Sequence, residues 1–406
     1  MSRKLNVLIC AYCVDRSDIS EAQMSYEWIT RLARFARLWV ITTGSRLNLT
    51  CGLEGYEGIK LITLKPRLSF KWWDGFDRAV HPGYVEFFFR AHKVAKRILK
   101  QNRVDLCHHL APQSIRFPSP LAGLDCPLIV GPIHGGMEQP GVMKELEKTE
   151  GLIYIIRRLD RMRMNYDPLL RIHYAKARQI LISAPYMKDV LLPEYLQKCV
   201  VVPGTAVSES AVRPIVDKDG GTKVQILTVC RLVPSKGIEL LIRAIAKCRY
   251  DDIVLKIYGK GSLETYCQKL AERLGLADKV VWKGFVPQSE VLEAYARADI
   301  FALPTLKEPT GGAILEAMAG GLPVVCVDAG GPAYAVSDDC GIKVKLGSKS
   351  QMVDDLAEAI DRLASNAQMR RQMGANARER VRNEFSWDAV VAKMLAVYRE
   401  VAGESK

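Results

Sequence analysis

The sequence contains no apolar run approaching the roughly 18 residues of a membrane-spanning helix. Its first apolar stretch, Leu5 to Val14, has the length of a short signal-peptide core. Asp15, Arg16 and Asp18 follow it at once and no small-residue cleavage site does, so it reads as a buried first strand. Paired cysteine spacing is also missing. Eleven cysteines, an odd number, argue against a disulfide framework and for a reducing compartment. Cys10 and Cys13 form one C-x-x-C with no second nearby, which reads as two buried thiols instead of a redox or zinc site. Low-complexity tracts and fixed-period repeats are absent, which excludes solenoids. The one D-x-D triplet, Asp217-Lys218-Asp219, lies in a polar, turn-rich segment and is accounted for by a charged linker. No metal site is expected. A cytoplasmic protein is expected, with peripheral association on the inner face of the cell membrane as a further expectation.

What is present is ordinary globular composition, 49% apolar and 25% charged, in a chain of 406 residues, longer than a single core sustains. Two domains are therefore expected. In the N-terminal half, strand-like Leu5–Ala11, Leu38–Thr43, Ile59–Leu64, Val104–His108, Pro127–Gly131, Ile180–Ser183 and Lys198–Val202 alternate with helical patterns. The helices are Ser25–Phe35 and Val85–Lys100, the latter with an apolar stripe of Phe88, His92, Ala95 and Leu99. In the C-terminal half, strands Val224–Val229, Ile253–Tyr258, Val280–Gly284, Ile300–Leu303 and Pro323–Val327 alternate with helices Ile238–Cys248, Leu263–Leu274, Ser289–Ala296 and one starting at Ala313–Ala319. A long helix from about Met352 precedes a last one, Ser386–Val401. Buried apolar strands alternating with helices predict parallel sheets. The expected architecture is α/β with two facing Rossmann-like domains, 1–205 and 223–385, joined by a linker over 206–222. Doubly wound sheets bind ligands at their strand carboxyl ends.

Two segments carry chemistry. Glu308-Pro-Thr-Gly-Gly-Ala-Ile-Leu-Glu316 sets two carboxylates eight positions apart, with a Gly pair opening a helix between them. Amides at a helix start bind phosphate, and the glycines let a ligand approach closely. Glu316 falls two turns inside, where a carboxylate can chelate a ribose diol, and Glu308 just outside, where it can accept from sugar hydroxyls. A helix-start carboxylate and a solvated helical Glu would show the same spacing. The second segment, Val229-Cys-Arg231-Leu-Val-Pro-Ser-Lys236-Gly237, leaves a strand and enters a helix through a loop with two cations, placed to neutralise a diphosphate.

With these segments stand Tyr258-Gly259-Lys-Gly261, Trp282-Lys-Gly284-Phe-Val, Ala298-Asp-Ile-Phe-Ala-Leu-Pro304-Thr and Ala317-Met-Ala-Gly-Gly-Leu-Pro323-Val-Val. In this order and spacing the motifs cover residues 224–345 and resemble the family-four retaining glycosyltransferases (glycosyl transferase group 1) of GT-B fold. In the N-terminal half, Ala11-Tyr12 with Ser20-Glu21, Asp105-Leu-Cys-His108-His109 and Ile129-Val-Gly131-Pro-Ile-His134-Gly135-Gly136 resemble the strand ends of one subgroup. The resemblance implies that Arg231 and Lys236 hold the donor pyrophosphate, Glu316 the ribose and Glu308 the transferred sugar. It implies that amides around Gly311, Gly312 and Ala313 meet sugar or phosphate. His134 would sit near the reacting carbon, and Ser20, Glu21, Gly135 and Gly136 would line the acceptor side. The C-terminal helix, 386–406, would return to the N-terminal domain. Gly259-x-Gly261 is a partial dinucleotide fingerprint whose third glycine is Glu264; within the family pattern it skirts the donor nucleoside. Two departures stand out: the family's Glu-Gly-Phe-Gly is here Glu308-Pro-Thr-Gly311, and the first loop has Ile19, Gln23 and Ser25 where the subgroup has glycines.

The implied substrate is a nucleotide-diphosphate sugar, UDP or GDP, with no further cofactor. Retention of configuration proceeds through a carboxylate nucleophile, for which Glu21 and Glu138 stand on the N-terminal side, or through front-face attack, which the resemblance favours. Residues 1–205 carry 30 Lys and Arg against 19 Asp and Glu, whereas residues 206–406 carry 28 against 26. The basic half therefore meets something anionic. Lys71-Trp72-Trp73, the Arg90–Arg103 helix face and Arg157-Arg158-Leu-Asp-Arg161-Met-Arg163 suit an anionic bilayer, and hence a membrane-associated or lipid-linked glycan acceptor as in bacterial surface-polysaccharide assembly. A soluble small-molecule acceptor is the alternative within the class. A pI of about 9.2 also admits a nucleic-acid-binding protein, but no groove-reading helix or aromatic RNA-binding pair is present, and no nucleic-acid partner is expected. A non-catalytic sugar-binding protein is a further alternative, although Arg231, Lys236, Glu308 and Glu316 are all intact.

Overall fold

The computed structural model describes residues 3–18, 21–44, 51–66, 82–146, 162–208 and 223–403. Ser20, the Lys71–Trp73 cluster, residues 157–161 and most of the linker, with Asp217-Lys218-Asp219, lie outside the described residues. The chain forms two compact units. One comprises Met1–Gly136, Glu150–Gly204 and Val390–Lys406; the other comprises Met137–Thr149 and Thr205–Ala389. Met137–Thr149, which the sequence places with the first half, thus belongs to the second unit. Its Val142 and Met143 are buried in that unit's core with Ile238 and Leu241.

The first unit is built on seven parallel strands: β1 (Asn6–Ala11), β2 (Arg37–Thr42), β3 (Ile59–Thr63), β4 (Leu106–Ala111), β5 (Leu128–Ile133), β6 (Ala177–Ile182) and β7 (Cys199–Val201). Their order is β3-β2-β1-β4-β5-β6-β7. β1 and β4 are neighbours, so the strand order reverses between them, and a parallel sheet opens a crevice at such a reversal. Residues Val7–Ala11 are buried without alternation, as a central strand covered on both faces requires. Helices α1 (Glu21–Leu32) and α2 (Pro82–Gln101) precede β2 and β4; α3 (Gly141–Leu146) and α4 (Pro168–Lys176) follow β5.

The buried stripe of α2 differs from the expected one. Tyr84, Phe87, Ala91, Ala95 and Ile98 face the core, whereas Phe88, His92 and Leu99 lie half-buried at its edge. The cause is an aromatic cluster at the helix start. Tyr84 packs against Tyr12 and Phe117, with ring centroids 5.4 and 4.9 Å away, and its hydroxyl donates to Pro118 O at 2.7 Å. Cys13 is half-buried and its Sγ donates to Gly44 O at 3.4 Å, so only Cys10 of the C-x-x-C is a buried thiol.

The second unit has six parallel strands in the order β10-β9-β8-β11-β12-β13. In chain order its elements are β8 (Val224–Val229), α5 (Ile238–Lys247), β9 (Ile253–Tyr258), α6 (Glu264–Arg273), β10 (Val280–Gly284), α7 (Gln288–Arg297), β11 (Ile300–Leu303), α8 (Gly312–Ala319), β12 (Val324–Val327), α9 (Gly330–Ala335), β13 (Gly341–Val344), α10 (Lys349–Ala364) and α11 (Ala367–Arg380). Here the order reverses between β8 and β11, which pair at Ile300↔Ile226 and Phe301↔Leu227. Ile226, Ile300 and Phe301 are fully buried, each contributing about 1.5–3 kcal/mol by leaving water. The long helix expected from Met352 is two helices. Asn366 interrupts it by accepting from Met369 N at 2.9 Å, a side-chain cap that starts α11 afresh.

The last helix, α12 (Trp387–Val401), contributes Val390 onward to the first unit. Tyr398 fixes it there: its hydroxyl lies 2.6 Å from His108 Nδ1, and His108 Nε2 lies 2.6 Å from Gly131 O. A carbonyl only accepts, so Nε2 carries the proton and the Tyr398 hydroxyl donates to Nδ1. Among the described residues, no helix is long and apolar enough to cross a membrane.

Candidate active site

Strand β8 ends at Val229 and the chain continues beside the exit of β9: Cys230 N donates to Tyr258 O and Leu232 N to Lys260 O, both at 3.0 Å. A Cβ on Gly259 would lie 1.9 Å from Cys230 O, so the glycine is what lets the two loops touch. The Gly259-x-Gly261 pair thus has a packing role against the Arg231 loop. Arg231 itself is exposed and, among the described residues, its side chain makes no hydrogen bond or ion pair.

Beyond it, Pro234–Lys236 form one tight turn closed by Gly237 in the left-handed region, φ +66, which starts α5. The chain leaving β11 is stitched to this turn. Ser235 O accepts from Leu306 N at 2.8 Å and Thr305 Oγ1 at 3.2 Å, and a Cβ on Gly237 would lie 2.1 Å from Pro304 O. The consequence is that Lys236, after β8, meets Glu308, after β11. Lys236 Nζ donates to Glu308 Oε2, and both side chains are about 15% exposed (16% and 15%). Glu308 Oε1 accepts from Gly311 N at 3.1 Å and lies 3.4 Å from Thr310 N. Burial raises the Glu308 pKa, but the Lys236 charge and hydrogen bond and the Gly311 and Thr310 amides outweigh it and hold the carboxyl below its ordinary value.

Helix α8 starts with Gly311 at φ +79 as its cap, without a capping side chain. Of the three amides expected at this helix start, the one at Gly311 is taken by Glu308; those at Gly312 and Ala313 have no capping partner among the described residues. Glu316 lies one turn inside the helix and not two as the spacing suggested, because α8 opens only at Gly312. Its Oε1 accepts from Gln288 Nε2 at 3.1 Å and its Oε2 from the Tyr295 hydroxyl at 3.2 Å, both from α7. Burial raises the Glu316 pKa, with Gln288 and Tyr295 acting against it. Sequence reasoning missed Gln288 and Tyr295. Their spacing of seven, two helical turns, would have put them on one face of α7. It also missed Gly330 and Gly331, which open α9 directly behind the site: Gly331 N donates to Glu308 O at 2.9 Å, and a Cβ on Gly330 would lie 2.4 Å from the same oxygen.

The first unit brings its own candidates together at the β1/β4 reversal. Glu21 opens α1, and its Oε1 accepts from Gln113 N at 2.6 Å. Gln113 O in turn accepts from His134 N at 2.7 Å. One residue, Gln113, therefore joins the Glu21 and His134 segments through its N–H and its carbonyl, and the motifs did not single it out. His134 is half-buried; Gly135 follows with φ +115 and donates its N–H to the Tyr186 hydroxyl at 3.2 Å, and Gly136 with φ +65 is exposed. At the amino ends of β1–β3 lies a groove of about 1280 Å³ whose lining includes Lys4, Arg34, Arg37, Lys60 and Arg103, with Glu57 as the one carboxylate among the described residues.

Two parallel-sheet Rossmann-like units, of seven and six strands, are the architecture of the GT-B fold. Residues 214–380 match the family described as glycosyl transferases group 1. A GDP-mannose-dependent alpha-(1-6)-phosphatidylinositol monomannoside mannosyltransferase of Mycobacterium tuberculosis is 33% identical over 183 residues, 43% of this chain and 47% of that protein. The chain spans about half the length of the curated relatives it matches. A glycosyltransferase from Rickettsia africae superposes over 100% of both chains with TM-score 0.70 at 18% identity. An Anabaena protein solved in complex with UDP and glucose superposes over 97% of this chain and 99% of its own, with TM-score 0.61 at 16% identity. These last two likenesses show the fold.

Proposed function

We propose that the protein is a retaining, metal-independent glycosyltransferase that moves a sugar from a nucleotide-diphosphate donor, UDP- or GDP-linked, to a hydroxyl of a membrane-associated or lipid-linked glycan. The observation that carries this reading is the convergence of Lys236, Glu308, the Gly312 and Ala313 amides and Glu316 around the start of α8, with Arg231 on the adjoining loop. That set offers cations and amides to a diphosphate, a carboxylate to sugar hydroxyls and a carboxylate to a ribose. The Anabaena protein with UDP and the GDP-mannose-dependent relative support a nucleotide-sugar donor of this kind.

In the reaction, the bond from the sugar's C1 to the diphosphate oxygen breaks, with its electron pair going to the leaving phosphate. The acceptor oxygen bonds to C1 on the same face, and its proton passes to that phosphate. Charge builds on the leaving group, where Arg231, Lys236 and the helix amides are positioned to stabilise it electrostatically. Glu308, held ionised, takes hydroxyls of a ring gaining positive charge. His134 is assigned to the reacting centre and Glu21, Gly135 and Gly136, with the first unit, to the acceptor. A lipid-linked acceptor is supported by the positive surplus of residues 1–205 and by exposed apolar side chains on and before α4. Tyr166, Leu169 and Ile172 are 79%, 47% and 47% exposed beside Arg163 and Arg171, a combination that suits an anionic bilayer.

The test is a thermal-shift screen of nucleotide sugars followed by slow hydrolysis of whichever binds. One UDP- or GDP-sugar that stabilises the protein and releases its nucleotide is expected; failure of every nucleotide sugar to bind would remove the reading.

A further inference from the structure

We infer that Tyr295 and Gln288 are positioning residues that confer selectivity for ribonucleotides by fixing both oxygens of Glu316. The inference rests on the proposed donor role of Glu316 and concerns residues that no family motif in this sequence singled out.

A carboxylate accepts about four hydrogen bonds, two per oxygen. Glu316 Oε1 receives one from Gln288 Nε2 at 3.1 Å and Oε2 one from the Tyr295 hydroxyl at 3.2 Å. Each oxygen keeps one acceptor site, and a vicinal diol supplies two donors. The pairing is therefore complete only with a ribose whose 2′ and 3′ hydroxyls are both present. A deoxyribose leaves one acceptor of this half-buried carboxylate unmatched.

The geometry of the clamp is rigid on one side and adaptable on the other. Tyr295 is 2% exposed, its ring packs on Phe301 with centroids 5.8 Å apart, and its hydroxyl also lies 3.3 Å from Ala313 O. A hydroxyl has one proton to give, and Ala313 O, like every carbonyl, only accepts. The proton directed at Glu316 is therefore shared with the first turn of α8, which ties the carboxylate's orientation to the uncapped amides at Gly312 and Ala313. Gln288 comes from the first position of α7 and is exposed, so it can be changed without opening a cavity.

The experiment uses the full chain and its Tyr295→Phe and Gln288→Leu variants. Each is titrated by calorimetry with UDP and GDP and with their 2′-deoxy counterparts, alongside a thermal melt. Wild type is expected to prefer the ribonucleotide. Each variant should bind the ribonucleotide about five- to tenfold more weakly, the effect of one lost hydrogen bond, with its affinity for the deoxynucleotide changed less than twofold. With the sugar nucleotide, donor KM should rise while kcat holds. Equal losses for ribo and deoxy forms, or no loss in either variant, would overturn the clamp. A wild type that binds ribo and deoxy forms alike would overturn it too, while leaving the donor site standing. A wild type that binds no nucleoside diphosphate would overturn the donor reading and the clamp together.

Discussion

Lys236 and Glu308, 72 positions apart, are joined by a hydrogen-bonded ion pair across the β8/β11 reversal of the second unit. The sequence motifs assign these residues to different parts of a donor, diphosphate and sugar. Each is the other's partner, so a diphosphate arriving at Lys236 must share that cation with Glu308.

This coupling separates the two cations of the loop. Lys236→Ala should weaken UDP or GDP binding by about 1.5–3 kcal/mol. It should also lower the melting temperature, because it leaves a mostly buried carboxylate without its cation. Arg231→Ala should cost similar binding affinity with no change in melting temperature, since the exposed guanidinium has no partner to abandon among the described residues. In the double variant the binding losses should fall short of their sum, because both cations meet one diphosphate. Calorimetry with bare nucleotide and a thermal melt check each point.

Turnover should survive excess EDTA and gain nothing from added manganese or magnesium. Arg231, Lys236 and the Gly312 and Ala313 amides supply the positive charge that a leaving diphosphate needs. A complete loss of activity restored by metal would refute this.

The first unit should lose stability as pH falls from 7.5 to 5.5. Burial pushes the His108 pKa down to about 4 and that of His173 to about 3, and His109 well below its ordinary value, its ring 5.6 Å from His173. In the unfolded chain each titrates near 6.5, so below that pH the unfolded state binds more protons and stability declines. Across this interval the loss is about 1.4 kcal/mol for each histidine. Glu308 is shifted the other way, and its contribution fades only as pH falls through the carboxylate range below this window. Urea unfolding at the two pH values, followed by near-UV signals of the first unit, should show the decline. A midpoint independent of pH would contradict it.

Most of the strands were legible because central parallel strands are runs of buried apolar residues, as in Val7–Ala11 and Ile300–Leu303. The start of α8 was legible because Gly311-Gly312 and two flanking glutamates fall at helical spacing. What stayed hidden depends on tertiary contact. The α2 stripe is rotated by an aromatic cluster formed with Tyr12 and Phe117, residues far away in the chain. The break between α10 and α11 rests on one capping side chain, Asn366, inside a pattern that is otherwise continuous. Gln288 and Tyr295 look like ordinary helix residues until α7 meets α8. The pairing of Lys236 with Glu308 follows from Ser235 O accepting Leu306 N, a contact between loops that no local spacing encodes.

The most direct measurement compares Glu308→Gln with Glu316→Gln for sugar-nucleotide turnover and for binding of bare nucleoside diphosphate. Glu308→Gln keeps the side chain's size and removes its charge. It should lower kcat by about a hundredfold or more while leaving nucleotide affinity within about threefold, the pattern of an interaction made chiefly in the transition state. Glu316→Gln should show the reverse bias, costing about tenfold in nucleotide affinity through the ribose. Normal turnover in Glu308→Gln, or a large loss of its affinity for bare nucleotide, would contradict the assignment of Glu308 to the transferred sugar.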